Sequence, residues 1–481
     1  MSLDTSMFLA ILPQILLLVL GTVVLVVGLI LPKDRRAPLG WVTAVGMGLI
    51  ILFSIPGIPG NESAQVWGGM LRHDWLGYSF AMLFIFGAGV TAMLAMDVPR
   101  LGSRLEFYLL LIASTLGMTF MAYAADLVML YVAIETTAIP LYILAGFLVK
   151  DEKSPESGFK YFLFGAMTSA IMLYGFSLIY GFTGTTDIYQ IGETVQVGSQ
   201  PVGIMVATLM LVLIGFAFKI SVVPLQFWAP DVYEGAPTPV AGFLSTASKA
   251  AGFAVLVRFL LAVDPNMVTY WGAILAAIAV ATMTLGNLIA LAQKNIKRLL
   301  AYSSIAHAGY VMIGVVAVSE LGVTSVVFYL LAYLLTNLAA FGIVTVYGKA
   351  VGSDDLTAYY GLSRRSPWLA LGMLVAFLSL AGMPPLVGFV AKVFVFAAAV
   401  NADLIWLAVV GILNSIIGLY YYMTVLKYVY LYRSEDDDKP VPVTRAFKLA
   451  LVVLSVAIIL AGVVIGPWFE WANQAATALL F

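Results

Sequence analysis

The sequence predicts an all-α polytopic membrane protein of about fourteen transmembrane helices, with two inverted five-helix repeats that each contain a discontinuous helix. Composition, apolar runs and the placement of basic residues carry this prediction. Of 481 residues, 62% are hydrophobic and only 10% charged, and soluble cores do not generate a long series of separate apolar runs of about 20 residues each. The runs fall at about 8–31, 38–55, 77–97, 105–121, 126–149, 157–181, 203–227, 240–263, 268–291, 300–317, 322–348, 366–400, 403–427 and 447–467. The stretch 366–400 is too long to cross as one straight rod, and AGMPPLVGF (Ala381–Phe389) interrupts it. It is expected to form one discontinuous helix.

Basic residues test the topology. With an external N-terminus, the outer loops hold only Arg72 of the 24 Lys and Arg residues. Lys160, Lys219, Lys249, Arg258 and Lys392 fall inside helices, and all the others fall on inner loops. That bias supports both the helix number and the orientation. Both termini are then expected on the outer, positive side of a cell inner (plasma) membrane. Met1–Gln14 lacks a basic segment, and the first apolar run ends without a small-residue cleavage site, so that run is expected to remain as a helix.

An internal repeat emerges when the interrupted helices are aligned. The expected organisation is an N-terminal three-helix segment (1–104), a first five-helix repeat (105–263), an inverted second repeat (264–430) and a C-terminal helix (431–481). The fourth member of each block carries a break and a lysine: Lys219 before Pro224, and Lys392 after Pro384 and Pro385. Paired proline-interrupted helices in two inverted repeats point to an ion pathway, because backbone carbonyls freed at the break bind water and cations.

With no cysteine in the chain, disulfides, iron–sulfur clusters and thiolate metal sites are excluded. The two histidines, His73 and His307, are too few for haem b or a histidine metal cluster. No cofactor and no metal are expected in this chain.

The chemistry is expected in a few deep ionisable residues. Lys219 sits in the apolar run Ile204–Val223, where an ammonium costs about 2.5–3.5 kcal/mol on insertion scales. Glu135, in LYVAIETTAIP, is the only carboxylate far from a helix end, and a moveable Glu135–Lys219 ion pair would switch the lysine between holding and releasing a proton. The alternative is a static buried bridge, which often adds little net stability. Lys249 lies near mid-membrane with Ser245, Thr246 and Ser248 close in sequence, hydroxyls able to hold water beside it; the alternative is a stem that snorkels to the surface. Lys392 lies deeper, after a helix break. His307, in RLLAYSSIAHAGY, is the side chain type suited to relaying protons near neutral pH, against a plain buried imidazole. Lys160, about three residues inside its helix, is open to a snorkelling or a functional reading. Arg258, near a helix end, is expected to anchor the interface, and FWAPDVYEGAPTPV (Phe227–Val240) to be a packing connector.

Three segments then carry a family resemblance: FKISVVPLQFWAPDVYEGAPTPV (Phe218–Val240), KRLLAYSSIAHAGY (Lys297–Tyr310) and LAGMPPLVGFVAKVFVF (Leu380–Phe396). They resemble the antiporter-like membrane subunits of respiratory complex I, and most of all the chain N (subunit 2) type of proton-translocating NADH–quinone oxidoreductase. The chain stops soon after helix fourteen, without a long lateral helix, and its twelfth-helix ionisable residue is Lys392, where the chain M type has a glutamate. The resemblance spans about residues 1–470. It implies that Glu135 and Lys219 form a modulating ion pair, Lys249 a central relay, His307 a bridge, and Lys392 the site of proton exchange with the outer side. It further implies a non-redox subunit of a translocase. NADH, FMN, iron–sulfur clusters and quinone would belong only to partner subunits of the membrane and hydrophilic arms. Apart from those subunits the expected surroundings are the lipid bilayer; no nucleic-acid partner is expected. The alternative is an ion-translocating subunit of a multi-subunit cation/proton antiporter, which shares the architecture.

Overall fold

The computed structural model describes residues 5–60, 63–98, 100–196, 202–263, 268–434 and 439–480. Among the described residues, twelve helices are long and apolar enough to cross a membrane; Pro38–Phe53 and the interrupted pair Pro367–Ala381 and Val387–Asn401 complete the fourteen spans expected. The helices start where the sequence supplies an acceptor for otherwise orphaned N–H groups. Asp126 Oδ1 accepts from Val128 and Met129 at 2.8 and 3.1 Å, and Asn295 Oδ1 accepts from Lys297 and Arg298 at 2.9 and 3.2 Å. Such caps each contribute about 0.5–2 kcal/mol.

Side-chain chemistry around each helix sets its place in the bundle. Glu320–Val351 is enclosed along its membrane-length core, and Ile296–Val316 and Thr238–Val263 are nearly so. These central helices carry much of the polar inventory, including Lys249, Ser304, His307 and Asn337. Leu12–Ile30, Lys153–Thr183 and Ile405–Leu431 instead present Leu18, Phe159, Phe162, Leu163, Ile412 and Leu413 outward, apolar surface suited to lipid. Where helices touch closely, small residues allow it. A Cβ on Gly158 would come within 2.8 Å of the Gly146 Cα, a backbone-to-backbone approach typical of membrane helix pairs.

Both expected breaks are present. The helix Val202–Ile220 stops before Ser221, which takes φ 58°, and the chain resumes as the short helix Trp228–Gly235. Pro224 has no N–H to donate and drives the preceding residue out of the helical region, so the apolar run expected over 203–227 is helical only in its first part. The second break follows Ala381: Gly382 adopts φ 84°, and Pro384–Pro385 precede the restart at Val387. Each break contains a cis X–Pro bond, Val223–Pro224 and Pro384–Pro385. Ser379 ties the second break together, accepting from Gly388 N at 3.1 Å and meeting Thr336 Oγ1 at 3.1 Å. A further irregularity lies inside Thr238–Val263. Leu244–Ser248 form one widened turn immediately before Lys249, a distortion frequent at functional sites.

The structure revises two readings near the helix ends. After Arg445–Val463 a second helix, Ile465–Leu480, packs across Trp75–Ala95 and Glu320–Val351. Arg258 is not an interfacial anchor: it is 2% exposed. Its guanidinium forks onto Asp74, with Nη1–Oδ2 at 2.7 Å and Nη2–Oδ1 at 2.8 Å, and donates to Ala122 O and the Tyr189 hydroxyl. Asp74 Oδ1 also accepts from Gly77 N at 2.8 Å, capping Trp75–Ala95, so the ion pair ties Thr238–Val263 to the start of that helix, to Ala122 and to Tyr189. Removing one member of such a pair leaves an uncompensated buried charge, costing about 3–5 kcal/mol. Arg258→Ala is therefore expected to lower the thermal midpoint of the purified protein by several degrees, while Arg258→Met combined with Asp74→Leu recovers much of the loss. An unchanged midpoint in Arg258→Ala would contradict this assignment.

Candidate functional site

The second helix break positions Lys392. Where Pro367–Ala381 ends, its last carbonyls have no helical partner, and the negative end of the helix dipole gathers there. Lys392 reaches back across the gap to fill that place: its Nζ donates to Leu380 O at 3.0 Å, Ala381 O at 2.9 Å and Ser415 Oγ at 2.8 Å. The ammonium also lies 5.2 Å from the centre of the Tyr310 ring, within cation–π range. The chain crosses close above it, since a Cβ on Gly382 would stand 2.8 Å from Lys392 Cδ.

Lys249 is 2% exposed. Its Nζ donates to Ser304 O at 3.1 Å and to Ser304 Oγ, both on the enclosed helix Ile296–Val316. Two of the three hydroxyls expected beside it, Ser245 and Thr246, are engaged elsewhere. Ser245 and Thr246 bond back to Gly242 O, each at 2.8 Å, and Ser245 also accepts from Asn337 at 2.7 Å.

One turn along the same helix, His307 stands between two tyrosine hydroxyls, Nδ1 2.8 Å from Tyr329 and Nε2 3.2 Å from Tyr422. A neutral imidazole offers one donor and one acceptor, and hydroxyls on both sides satisfy either tautomer. Tyr422 also meets Ser303, the residue beside Lys249's partner. From there the Tyr421 ring touches that of Tyr422 at 4.4 Å between centres, and the Tyr421 hydroxyl donates to Asn287 Oδ1 at 3.1 Å. The Asn287 amide donates at 3.0 Å to the hydroxyl of Tyr310, the ring beside Lys392. Lys249, His307 and Lys392 are thus brought together along a buried polar seam. Its tyrosines and asparagines were not among the sequence candidates: neutral residues give no charge signal, and some of their partners lie more than a hundred positions away, as for Asn287 and Tyr421.

Lys219 differs from the other two lysines. It is 7% exposed, yet among the described residues its Nζ has no hydrogen-bond partner. Glu135 is nearby but accepts from Ser169. Both line one cavity of about 20 Å³ together with Tyr142, Tyr161, Ser169 and Gly252, room for about one water molecule. The Lys219 stem runs over Gly252, where a Cβ would stand 3.1 Å from Lys219 Cγ. Gly252 follows Lys249 by three residues, so one face of Thr238–Val263 links the two lysines.

Lys160 lies outside this buried set. Its side chain is 34% exposed and pairs with Asp231 at 2.8 Å and Glu156 at 2.9 Å. Arg298 bonds the same Asp231 at 2.8 Å and Glu234 at 3.0 Å, and Lys153 reaches Glu234 at 2.7 Å. The segment around Trp228 is therefore more than a packing connector, because its carboxylates organise a surface ion-pair network. Partial burial raises the Asp231 and Glu234 carboxyls, but hydrogen bonds and charge from Lys160 and Arg298, and from Lys153 and Arg298 respectively, outweigh it and leave both below the usual carboxylate range.

Similar proteins place this geometry. A family model described as NADH:quinone oxidoreductase/Mrp antiporter, transmembrane, matches residues 124–418. The NADH-quinone oxidoreductase subunit N of Moorella thermoacetica is 43% identical over 96% of this chain and 97% of its own. That of Heliobacterium modesticaldum is 41% identical over 97% and 98%. Among solved structures, a chain of respiratory complex I from Thermus thermophilus superposes with TM-score 0.81 at 33% identity, covering 95% of this chain and 98% of that one. A chain of the Mrp complex from a Dietzia species gives TM-score 0.84 at 22% identity, over 99% and 98%, a likeness of fold.

The ion network predicts a pH dependence. A carboxyl depressed on folding contributes stability above its unfolded value, about 3.9 for Asp and 4.3 for Glu, and that contribution is lost as pH falls through the folded value. Thermal unfolding followed downward from neutral pH is expected to show a falling midpoint below about pH 4. The double variant Asp231→Asn/Glu234→Gln is expected to lose less over the same interval. Parallel curves would contradict the assignment.

Proposed function

The chain belongs to the NADH:quinone oxidoreductase/Mrp antiporter membrane family, on its NADH-quinone oxidoreductase subunit N branch, and from that premise we propose that it conducts protons across the membrane through Glu135, Lys219, Lys249, His307 and Lys392. The observation that carries the reading is the buried seam from Lys249 and Ser304 past His307 to Tyr310 and Lys392. Hydroxyl, imidazole and amine groups spaced along this seam offer successive sites for a proton, and hydrocarbon around them keeps it from leaking.

In this reading the chain is the non-redox part of the machine. NADH, FMN, iron–sulfur clusters and quinone belong to partner subunits of the membrane and hydrophilic arms. Quinone reduction there closes or opens the Glu135–Lys219 contact. Closing it holds the Lys219 proton, and opening it leaves a bare ammonium in an apolar chamber, which favours release. The proton passes to Lys249, then by Ser303/Ser304, Tyr422 and His307 to Lys392, which exchanges with the positive side where both termini lie. Each proton moved against the membrane potential requires about 2.3 kcal/mol per 100 mV. The two breaks belong to inverted five-helix blocks, 105–263 and 264–430, so Lys219 and Lys392 occupy related positions. Lys160 serves the surface network and does not relay.

The test is Lys219→Ala in the assembled complex in host membranes. Loss of both coupled NADH–quinone turnover and proton pumping is expected, with Glu135→Gln slowing both less severely. Unchanged pumping with lost sodium tolerance would overturn the proposal and favour a cation/proton antiporter.

A further inference from the structure

The helix Lys153–Thr183 lines two separate cavities. One, of about 220 Å³, is lined by Lys153, Glu156, Lys160, Asp231, Glu234 and Arg298, and includes Ser157. The other is the cavity of about 20 Å³ beside Lys219, which begins at Tyr161 and continues through Gly165, Thr168 and Ser169. The first is open to solvent, since the Lys153 and Glu156 side chains that line it are 67% and 61% exposed. The second is much smaller, and Tyr142, Tyr161, Phe216 and Phe218 are among its lining residues.

Tyr161 stands at the boundary. Its ring stacks on Trp228 at 4.5 Å between centres and 14° between planes, lies 5.9 Å from Phe218, and takes Tyr142 edge-on at 4.8 Å. Tyr161 and Trp228 are 1% and 2% exposed. The Trp228 indole donates at 3.1 Å to the carbonyl of Phe218, the residue before Lys219. Trp228 opens a short helix, Trp228–Gly235, placed between the helix break and the Pro237 turn. Asp231 and Glu234 of that helix are the carboxylates that Lys160, Arg298 and Lys153 hold. The ion pairs therefore fix the helix that presses Trp228 onto Tyr161.

We infer that Tyr161 and Trp228 form a water-excluding gate between the solvent-open charged cavity and the Lys219 chamber, latched by the ion pairs of Asp231 and Glu234. The inference rests on the proton-conducting reading for its purpose: a pump that left Lys219 open to both sides would dissipate the gradient, so access must alternate. When the short helix tilts and the rings part, water enters from the charged cavity. A hydronium O–H bond breaks as an N–H bond forms on the neutral Lys219 amine, leaving water behind. Re-stacking then isolates the protonated lysine. Tyr161 and Trp228 are positioning residues, as neither gives nor takes the proton.

The absence of cysteine in this chain allows a direct test of access. Thr168→Cys places a thiol in the Lys219 cavity and Glu156→Cys one in the charged cavity. Both are made in the assembled complex, in inside-out membrane vesicles, and treated with 2-aminoethyl methanethiosulfonate. Labelling is read by mass spectrometry of this subunit. The Glu156→Cys thiol is expected to label rapidly in every background, since that side chain is 61% exposed. The Thr168→Cys thiol is expected to label at least an order of magnitude more slowly, and to accelerate by a similar factor when Trp228→Ala or Tyr161→Ala is added. Equal labelling of the Thr168→Cys thiol with and without the aromatic pair would overturn the gate. Because labelling requires no pumping, a gated thiol in a complex whose pumping ignores Lys219→Ala would refute the proton-conducting role while leaving the gate standing.

Discussion

An ammonium buried in hydrocarbon must be surrounded by oxygen atoms, and this structure is organised around how three lysines meet that demand. Removing a charged group from water is costly enough that membrane proteins keep such residues rare and solvate them within the bundle. Lys392 takes two carbonyls from a helix that was broken to free them, plus a serine hydroxyl. Lys249 takes both oxygens of Ser304. Lys219 has only the small chamber it shares with Glu135. Among the described residues the lysines thus differ in direct oxygen contacts, with three at Lys392, two at Lys249 and none at Lys219.

The helix breaks serve this constraint before anything else. A continuous helix already engages its carbonyls in its own ladder, whereas a break leaves carbonyls with no helical donor and so free to solvate a cation. Glycine and proline at 382, 384 and 385 stop the helix, and the Lys392 stem crosses the gap thus made. At 221–227 the interruption instead yields the short helix Trp228–Gly235, whose carboxylates sit among basic residues. One break solvates a lysine, and the other couples a buried chamber to a charged surface. Between them, Ser303, Tyr422, His307, Tyr329, Asn287 and Tyr310 supply polar contacts without adding charge.

The parts of this arrangement that depend on local chemistry were legible in the sequence. Apolar runs of membrane length marked the spans, and Pro224, Pro384 and Pro385 marked the breaks, because proline removes a donor wherever it stands. Deep lysines stood out by the cost of putting them there. Partners distant in sequence were not legible. Arg258 lies 184 positions from Asp74 and so suggested an interfacial anchor, and Lys249 found Ser304 instead of the neighbouring hydroxyls, which satisfy their own helix. The helix Ile465–Leu480 escaped notice because its apolar residues occupy one face only, which a search for continuous apolar runs passes over.

The central claim, that a proton crosses the seam between Lys249 and Lys392, is tested most directly at its one imidazole. His307→Ala leaves a void the size of the reagent that can refill it. In proteoliposomes containing the assembled complex, the account predicts that proton translocation driven by quinone reduction falls severely in His307→Ala and is restored in part by added imidazole. Translocation at the unaltered rate in His307→Ala would contradict it.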